Sequence, residues 1–143
     1  MFLLSQVEYN QNKLHLSYQG NDVSAIENTV EQFENKFSFI DAKTKSEVGI
    51  IIDEIVNNIV SYSQVENLEF FVDFVLDKNT LSIVFEDNGV EFNPLSKEEK
   101  YLEEYHDDIA IGGFGISLVK TLSKSVDYKY SKGHNILTIK KDV

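Results

Sequence analysis

The chain has 143 residues, 42% of them hydrophobic, which is the size of one domain with a sizeable core. Its formal net charge of −11 argues against nucleic acid or an anionic membrane surface as the main partner. Cysteine is absent, which excludes disulfides and thiolate metal sites and fits a reducing compartment, and no apolar segment approaches the roughly 20 residues that span a bilayer. We therefore expect one cytoplasmic domain over residues 1–143.

The hydrophobic pattern predicts strands grouped around three helices. In chain order, the predicted elements are a strand over 14–18, a helix over 23–37 capped by Asp22 or Ser24, a helix over 43–62, a hairpin of 68–76 and 81–86, a helix that begins in the glycines at 112–115, and a hairpin of 126–130 and 135–140. Strands and helices do not alternate strictly. The order therefore predicts an α+β fold, a two-layer α/β sandwich with helices on one face of a mostly antiparallel sheet.

A long irregular segment connects the first hairpin to the third helix. Residues 90–111 lose hydrophobic periodicity, and residues 97–108 are dense in charge. Connections of this length inside a compact domain are typically functional. We predict a functional lid in this segment, and the family resemblance described below implies that it spans about 95–111.

The second helix carries a carboxylate and amides beside its apolar face. Glu54 and Asn58 are four residues apart, so they project from the same side of the helix. There Glu54 is able to take a proton from a nucleophile, and Asn58 is able to offer an oxygen to a hard cation such as Mg²⁺. Alternatively, Asp53, Glu54, Asn57 and Asn58 line the exposed side of an amphipathic helix.

A second polar group follows directly after a predicted strand, in the stretch 85–94 (FEDNGVEFNP). Asp87 at the end of a strand is able to accept a hydrogen bond from an exocyclic amine, and Gly89 permits a close backbone approach. A purine would suit this arrangement. The alternative is an ordinary Asp-Asn-Gly turn.

The third group is the stretch 111–119 (IGGFGISLV), where small residues lead into a helix and leave its first N–H groups available to an anion. A purely structural helix start is the alternative. Arginine is absent from the chain, so a polyphosphate would be held by backbone amides, lysine or a metal.

Taken together and in this order, the three groups resemble the nucleotide-binding boxes of the gyrase, histidine-kinase and mismatch-repair ATPase superfamily. The closest resemblance is to the anti-sigma-factor serine/threonine kinases. It rests on Glu54-x-x-x-Asn58, on Asp87-x-Gly89-x-x-Phe92-Asn93-Pro94 and on Gly113-x-Gly115-Ile-x-Leu118. Glu91 departs from the pattern, since many members of the superfamily have a second glycine there.

The resemblance implies the histidine-kinase-like ATPase fold, with ATP and Mg²⁺ as cofactors. It implies a general base at Glu54 and a Mg²⁺ ligand at Asn58, with Asn57 as the alternative ligand if the helix register differs. The residues implied around the adenine are Asp87, Gly89 and Phe92, together with the hydroxyl of Thr138. The residues implied around the phosphates are Gly113, Phe114 and Gly115. Thr138 is equally well explained as an ordinary β-branched strand residue.

Three functions are compatible with these residues. The first, which the resemblance implies, is an ATP-dependent serine/threonine protein kinase and anti-sigma-type regulator that phosphorylates a small anti-anti-sigma partner. The resemblance also implies a sigma factor as a further partner and a homodimer as the assembly. The second is an ATP-binding regulatory module that switches partner binding without phosphoryl transfer. The third is an interaction domain that binds no ATP.

Overall fold

The computed structural model describes residues 12–96 and 111–143 of the chain. Their main elements are, in order, β1 (Lys13–Gln19), α1 (Ser24–Lys36), α2 (Ala42–Tyr62), β2 (Glu69–Asp77), β3 (Thr80–Asp87), α3 (Ile111–Leu122), β4 (Ser125–Ser131) and β5 (His134–Asp142). This order agrees with the hydrophobic pattern, and the predicted element boundaries lie within three residues of the observed ones. The predicted α+β fold is confirmed.

The five described strands form one antiparallel sheet in the order β1-β2-β3-β5-β4. Both hairpins pair neighbouring strands, and β5 returns to lie between β3 and β4. The register places Asp87 opposite Asn135 at the end of the β3–β5 ladder. Polar side chains from two distant parts of the sequence therefore meet at one edge of the sheet.

Alternate strand residues face the helices and form the core. In β3 every second residue is buried, among them Leu81, Ile83 and Phe85. The helix layer contributes an aliphatic stripe of α2 and the Phe33 ring of α1, whose centroid lies 5.1 Å from that of Phe74 on β2. The core therefore lies between the helices and one face of the sheet, as a two-layer sandwich requires.

Local hydrogen bonds define where the helices begin. Asp41 caps α2, because its carboxylate accepts a hydrogen bond from Thr44 N at 2.8 Å. Asp22 accepts a hydrogen bond from Ser24 N at 2.9 Å just ahead of α1, although the N-cap position itself is Val23. Sequence patterns alone missed the cap at Asp41.

A buried lysine joins the far ends of three elements. Lys141 on β5 is 6% exposed, and its Nζ donates to Glu47 Oε1 of α2 at 2.8 Å and to the Leu122 carbonyl oxygen of α3 at 2.6 Å. The ion pair lowers the pKa of Glu47, chiefly through the hydrogen bond from Lys141. This contact stabilises the packing of α3 beside α2.

Among the described residues, no helix combines the length and the apolar character needed to cross a membrane.

Candidate nucleotide-binding site

A pocket opens between the C-terminal half of α2 and the sheet. The space inside it, counted out to its open mouth, is about 410 Å³. Its lining comprises Ile55, Asn58, Ile59, Tyr62, Ser63, Phe85, Asp87, Val90, Phe92, Pro94, Tyr128, Asn135 and Leu137. The walls are therefore mostly apolar, with a few polar groups that are able to orient a ligand.

Asp87 is the acidic group of this pocket, and it is only 7% exposed. Oδ1 accepts hydrogen bonds from Gly89 N at 2.8 Å and from Asn135 Nδ2 at 2.9 Å. Burial raises the pKa of Asp87, and these two hydrogen bonds partly oppose that shift. Within the described residues Oδ2 receives no hydrogen bond, so it is the acceptor available to a ligand.

Gly89 is required by close backbone packing. A Cβ at this position would lie 2.8 Å from both Cα and Cβ of Ser63, at the end of α2. The contact is supported by a hydrogen bond from Val90 N to the Ser63 carbonyl oxygen at 2.9 Å. A side chain at position 89 would therefore collide with the end of α2, and the predicted approach of a base to Gly89 stays a prediction.

Two aromatic rings form one wall of the pocket. The Phe92 ring stacks on Tyr62 of α2, with centroids 4.6 Å apart and planes 16° from parallel. Both residues line the pocket, together with Tyr128 of β4. A planar base in the pocket would therefore meet aromatic surface, and Phe92, for which an adenine contact is predicted, is one of the lining residues.

Asn135 is a pocket residue that sequence reasoning missed. It is 7% exposed and hydrogen-bonds to Asp87, Phe92 and Tyr128. The signal was present, because period-two alternation through β5 places positions 135 and 137 on one face. The alternation predicts the strand correctly, and it also distinguishes the inward residues of β5 from the outward ones.

Thr138, whose hydroxyl is predicted to lie near the adenine, lies instead on the other face of the sheet. In β5 the residues at 135, 137 and 139 are buried on the helix side, so Thr138 points to the opposite face of the sheet. There its register neighbours are Val84 and Asp127. Thr138 does not line the pocket, and its β-branched side chain fits an ordinary strand position.

The two adjacent asparagines of α2 lie on different sides of the helix. Asn58 lines the pocket. Asn57 is exposed, and its Nδ2 donates to the backbone oxygen of Asp53 at 2.9 Å and to Asp53 Oδ1 at 3.4 Å. Of the two, only Asn58 faces the place where a nucleotide would lie.

Glu54 is held against the first half of α3. A Cβ on Gly115 would lie 1.9 Å from Glu54 Oε1 and 2.7 Å from Cδ, so the absent side chain of Gly115 is what leaves room for the carboxylate. Partial burial raises the pKa of Glu54, and the charge of Asp53 adds to the shift. Glu54 therefore lies one helical turn from Asn58, beside the helix that carries the glycines.

The comparison with protein-family models agrees with this geometry. The model described as the histidine kinase-like ATPase domain matches residues 17–141. The chain belongs to this family. Among solved structures, the fold is similar to that of the Acinetobacter baumannii histidine kinase AdeS, with a TM-score of 0.50 and 15% identity over 99% of this chain and 72% of that chain. A search of curated proteins found no match.

Membership in the histidine kinase-like ATPase domain family makes ATP the expected ligand of the pocket. The polar groups of the pocket fit this nucleotide, because Asp87 Oδ2 is a hydrogen-bond acceptor available to the adenine amine. Asn58 lines the pocket and carries an amide oxygen, and oxygen is the ligand atom that Mg²⁺ prefers, so Asn58 is the residue that would hold this ion beside the phosphates. Within residues 12–96 and 111–143 no group of three His, Asp or Glu forms a metal site independent of the nucleotide.

Only part of the predicted phosphate-binding stretch and its surroundings lies among the residues that the structure describes. Gly113 and Phe114 fall in the first turn of α3, where backbone N–H groups lack acceptors within the helix. Their surroundings, and most of the predicted lid over 95–111, lie outside the described residues. Farther along α3, Ile116 and Val119 are buried, whereas Leu118 of the third motif is 42% exposed.

Proposed function

We propose that the chain is an ATP-dependent serine/threonine protein kinase and anti-sigma-type regulator that phosphorylates a small anti-anti-sigma partner. The observation that carries the proposal is the order of polar groups along α2. Asp87 lies in the pocket at the C-terminal end of the helix. Asn58 comes next toward the N-terminus, and Glu54 lies one turn further in the same direction, against Gly115. This order matches that of a bound ATP with its base, its phosphates and an acceptor hydroxyl.

Base recognition follows from the acceptor at the bottom of the pocket. In its ionised form, Asp87 Oδ2 accepts a hydrogen bond from the exocyclic amine of adenine. Guanine presents a carbonyl oxygen at the same ring position, which would face the carboxylate without a shared proton. The site should therefore prefer ATP to GTP.

Phosphoryl transfer needs a base for the incoming hydroxyl and a positioned γ-phosphate. Glu54 takes the proton of the serine or threonine hydroxyl, the hydroxyl oxygen bonds to the γ-phosphorus, and the bond to the bridging oxygen breaks to release ADP. The raised pKa of Glu54 makes it a better proton acceptor near neutral pH than an ordinary carboxylate. Mg²⁺ on Asn58 would supply charge neutralisation at the phosphates, which arginine does elsewhere but cannot do in this chain.

The partners are proposed from the sequence resemblance. An anti-anti-sigma protein supplies the acceptor hydroxyl, a sigma factor is a second binding partner, and the kinase acts as a homodimer. The net charge of −11 agrees with protein partners rather than nucleic acid.

The test combines nucleotide binding with product analysis. The purified chain is titrated with ADP and with ATP plus Mg²⁺ by calorimetry, and proteins that co-purify with it are incubated with ATP and examined for phosphoserine and phosphothreonine by mass spectrometry. The key variant is Glu54→Gln, with Glu31→Gln on the exposed side of α1 as the matched control. A general base contributes about 10²- to 10⁴-fold, so Glu54→Gln should lose that factor in transfer while retaining ADP binding.

Each alternative function has its own outcome. Nucleotide-dependent partner binding without any phosphorylated product would identify a regulatory module. Absence of nucleotide binding, with no effect of Asp87→Asn on partner capture, would identify an interaction domain. Equal transfer by wild type and Glu54→Gln would remove Glu54 from the mechanism.

A further inference from the structure

The carboxamide of Asn135 uses its whole hydrogen-bonding capacity inside the protein. An asparagine side chain has two N–H donors and an oxygen with two lone pairs. Nδ2 donates to Asp87 Oδ1 and to the Val90 carbonyl oxygen, each at 2.9 Å. Oδ1 accepts from Phe92 N at 2.9 Å and from the Tyr128 hydroxyl at 2.6 Å. No donor or acceptor of Asn135 is left for a nucleotide.

These hydrogen bonds fix which way the amide faces. Its oxygen meets two donors, the Phe92 amide and the Tyr128 hydroxyl, and its nitrogen meets only acceptors, which include the Gly89 carbonyl oxygen at a longer 3.4 Å. A flipped amide would face like groups on both sides. Asn135 therefore holds together the end of β3, the segment that follows it and the edge strand β4.

The two oxygens of the Asp87 carboxylate become unequal as a result. Oδ1 is occupied by Asn135 and Gly89, whereas Oδ2 receives no hydrogen bond from any described residue. A carboxylate held in this way cannot rotate to exchange its two oxygens without breaking both bonds. It presents one acceptor in one direction.

We infer that Asn135 is the positioning residue of adenine recognition. It holds Asp87 with Oδ1 turned into the protein and Oδ2 presented to the exocyclic amine, and it does so without touching the nucleotide. The inference rests on the proposed ATP-binding function and adds the residue that positions the selective carboxylate of Asp87.

The electrostatics of Asp87 agree with this role. Burial is the largest influence on the pKa of Asp87 and favours the neutral acid, which would carry a proton on one oxygen. The hydrogen bond from Asn135 is the largest opposing influence, and smaller ones come from Gly89 and His134, while Glu86 acts in the other direction. Asn135 therefore favours the ionised form, in which Oδ2 is purely an acceptor.

The experiment measures selectivity for the amine rather than affinity alone. Dissociation constants are determined by calorimetry at neutral pH for ADP and for purine riboside 5′-diphosphate, which lacks only the exocyclic amine. The variants are Asn135→Leu and, as the matched control, Asn88→Leu. Asn88 adjoins Asp87 and also bridges two backbone groups, Glu69 N and the Asn67 carbonyl oxygen, but it does not line the pocket.

A hydrogen bond to a charged group corresponds to about a tenfold or greater preference, which is the ratio expected for ADP over the analogue in wild type. Asn135→Leu should bring this ratio close to unity while the affinity for the analogue stays within about threefold of wild type. Asn88→Leu should keep the wild-type ratio even where it lowers the melting temperature.

Loss of affinity for both ligands by the same factor in Asn135→Leu would indicate a general structural role and overturn the inference, and so would an unchanged ratio. Wild type that binds ADP but shows no preference over the analogue would overturn the inference and leave ATP binding standing. Wild type that binds neither ligand would overturn the proposed function itself. If Asn135→Leu does not fold, Tyr128→Phe removes one donor to the amide and keeps the ring. Its ratio should fall at least about twofold, and an unchanged ratio counts against the inference.

Discussion

Gly115→Ala tests whether the packing of α3 against Glu54 is needed for phosphoryl transfer. The added Cβ would lie 1.9 Å from Glu54 Oε1, far inside the 3.4 Å at which ordinary contact begins. The atom it meets is the far end of a flexible side chain, so the carboxylate will move and the helix will not. We therefore expect the substitution to damage the site and spare the fold.

The magnitude follows from the displacement. Oε1 must retreat by about 1.5 Å, which is three times the roughly 0.5 Å within which a catalytic group must be held. A misplacement of about 1 Å costs about 10²-fold in rate, so transfer should fall by about that factor or more. Stability should change in the opposite direction, because replacing glycine by alanine inside a helix favours folding by up to about 1 kcal/mol.

Gly49→Ala is the matched control. Gly49 lies within α2, and a Cβ there would meet nothing within 4 Å. It should gain the same helix stability, about 3 °C in melting temperature, with unchanged transfer. The assay is transfer from ATP to the partner, or hydrolysis of ATP if no partner is at hand, with thermal unfolding and ADP calorimetry in parallel.

The double variant Gly115→Ala with Glu54→Gln separates the two ways in which Gly115 could act. If the alanine acts through Glu54, the double variant is no slower than Glu54→Gln alone. If it acts on phosphate binding instead, the two losses add and the ADP dissociation constant rises. Wild-type transfer in Gly115→Ala would refute the reasoning, because it would mean that the position of the Glu54 carboxylate does not matter.

Three further predictions concern the pocket and its support. Burial raises the pKa of Asp87, so ADP binding should weaken as pH falls through that raised pKa. The stability of the apo protein should instead fall as pH rises through the same pKa, because the neutral acid is easier to bury than the carboxylate. Asp87→Asn should remove both pH dependences, which calorimetry and thermal unfolding measure. Phe92→Ala removes the ring that stacks on Tyr62 and should weaken ADP binding by about threefold to tenfold, whereas a wild-type dissociation constant would exclude this wall from the binding site. Lys141→Met breaks the contacts with Glu47 and with a backbone carbonyl of α3, and should lower the free energy of unfolding in urea by about 2 kcal/mol with little change in ADP binding. A loss of ADP-binding free energy as large as this loss of stability would mean that the Lys141 contacts also shape the pocket.

The sequence determined the elements and their layers, because periodicity is a local property of the chain. Period-two runs identified the strands, and helical spacing of aliphatic residues identified α2 together with the side of it that carries Glu54 and Asn58. Asp87, Gly89 and the glycines ahead of α3 were also visible, since turns and helix starts leave short sequence signals.

Only the tertiary structure decided which side chains share the pocket. Asn135 is 48 residues from Asp87, and their hydrogen bond exists because β5 inserts between β3 and β4 in one register. The same register sends Thr138 to the other face of the sheet, since a shift of one residue along a strand reverses the direction of its side chain. The contact of Gly115 with Glu54 likewise depends on how closely two helices pack, which no spacing within either helix records. The proposed base selectivity and phosphoryl transfer therefore rest on contacts between segments that are distant in the sequence.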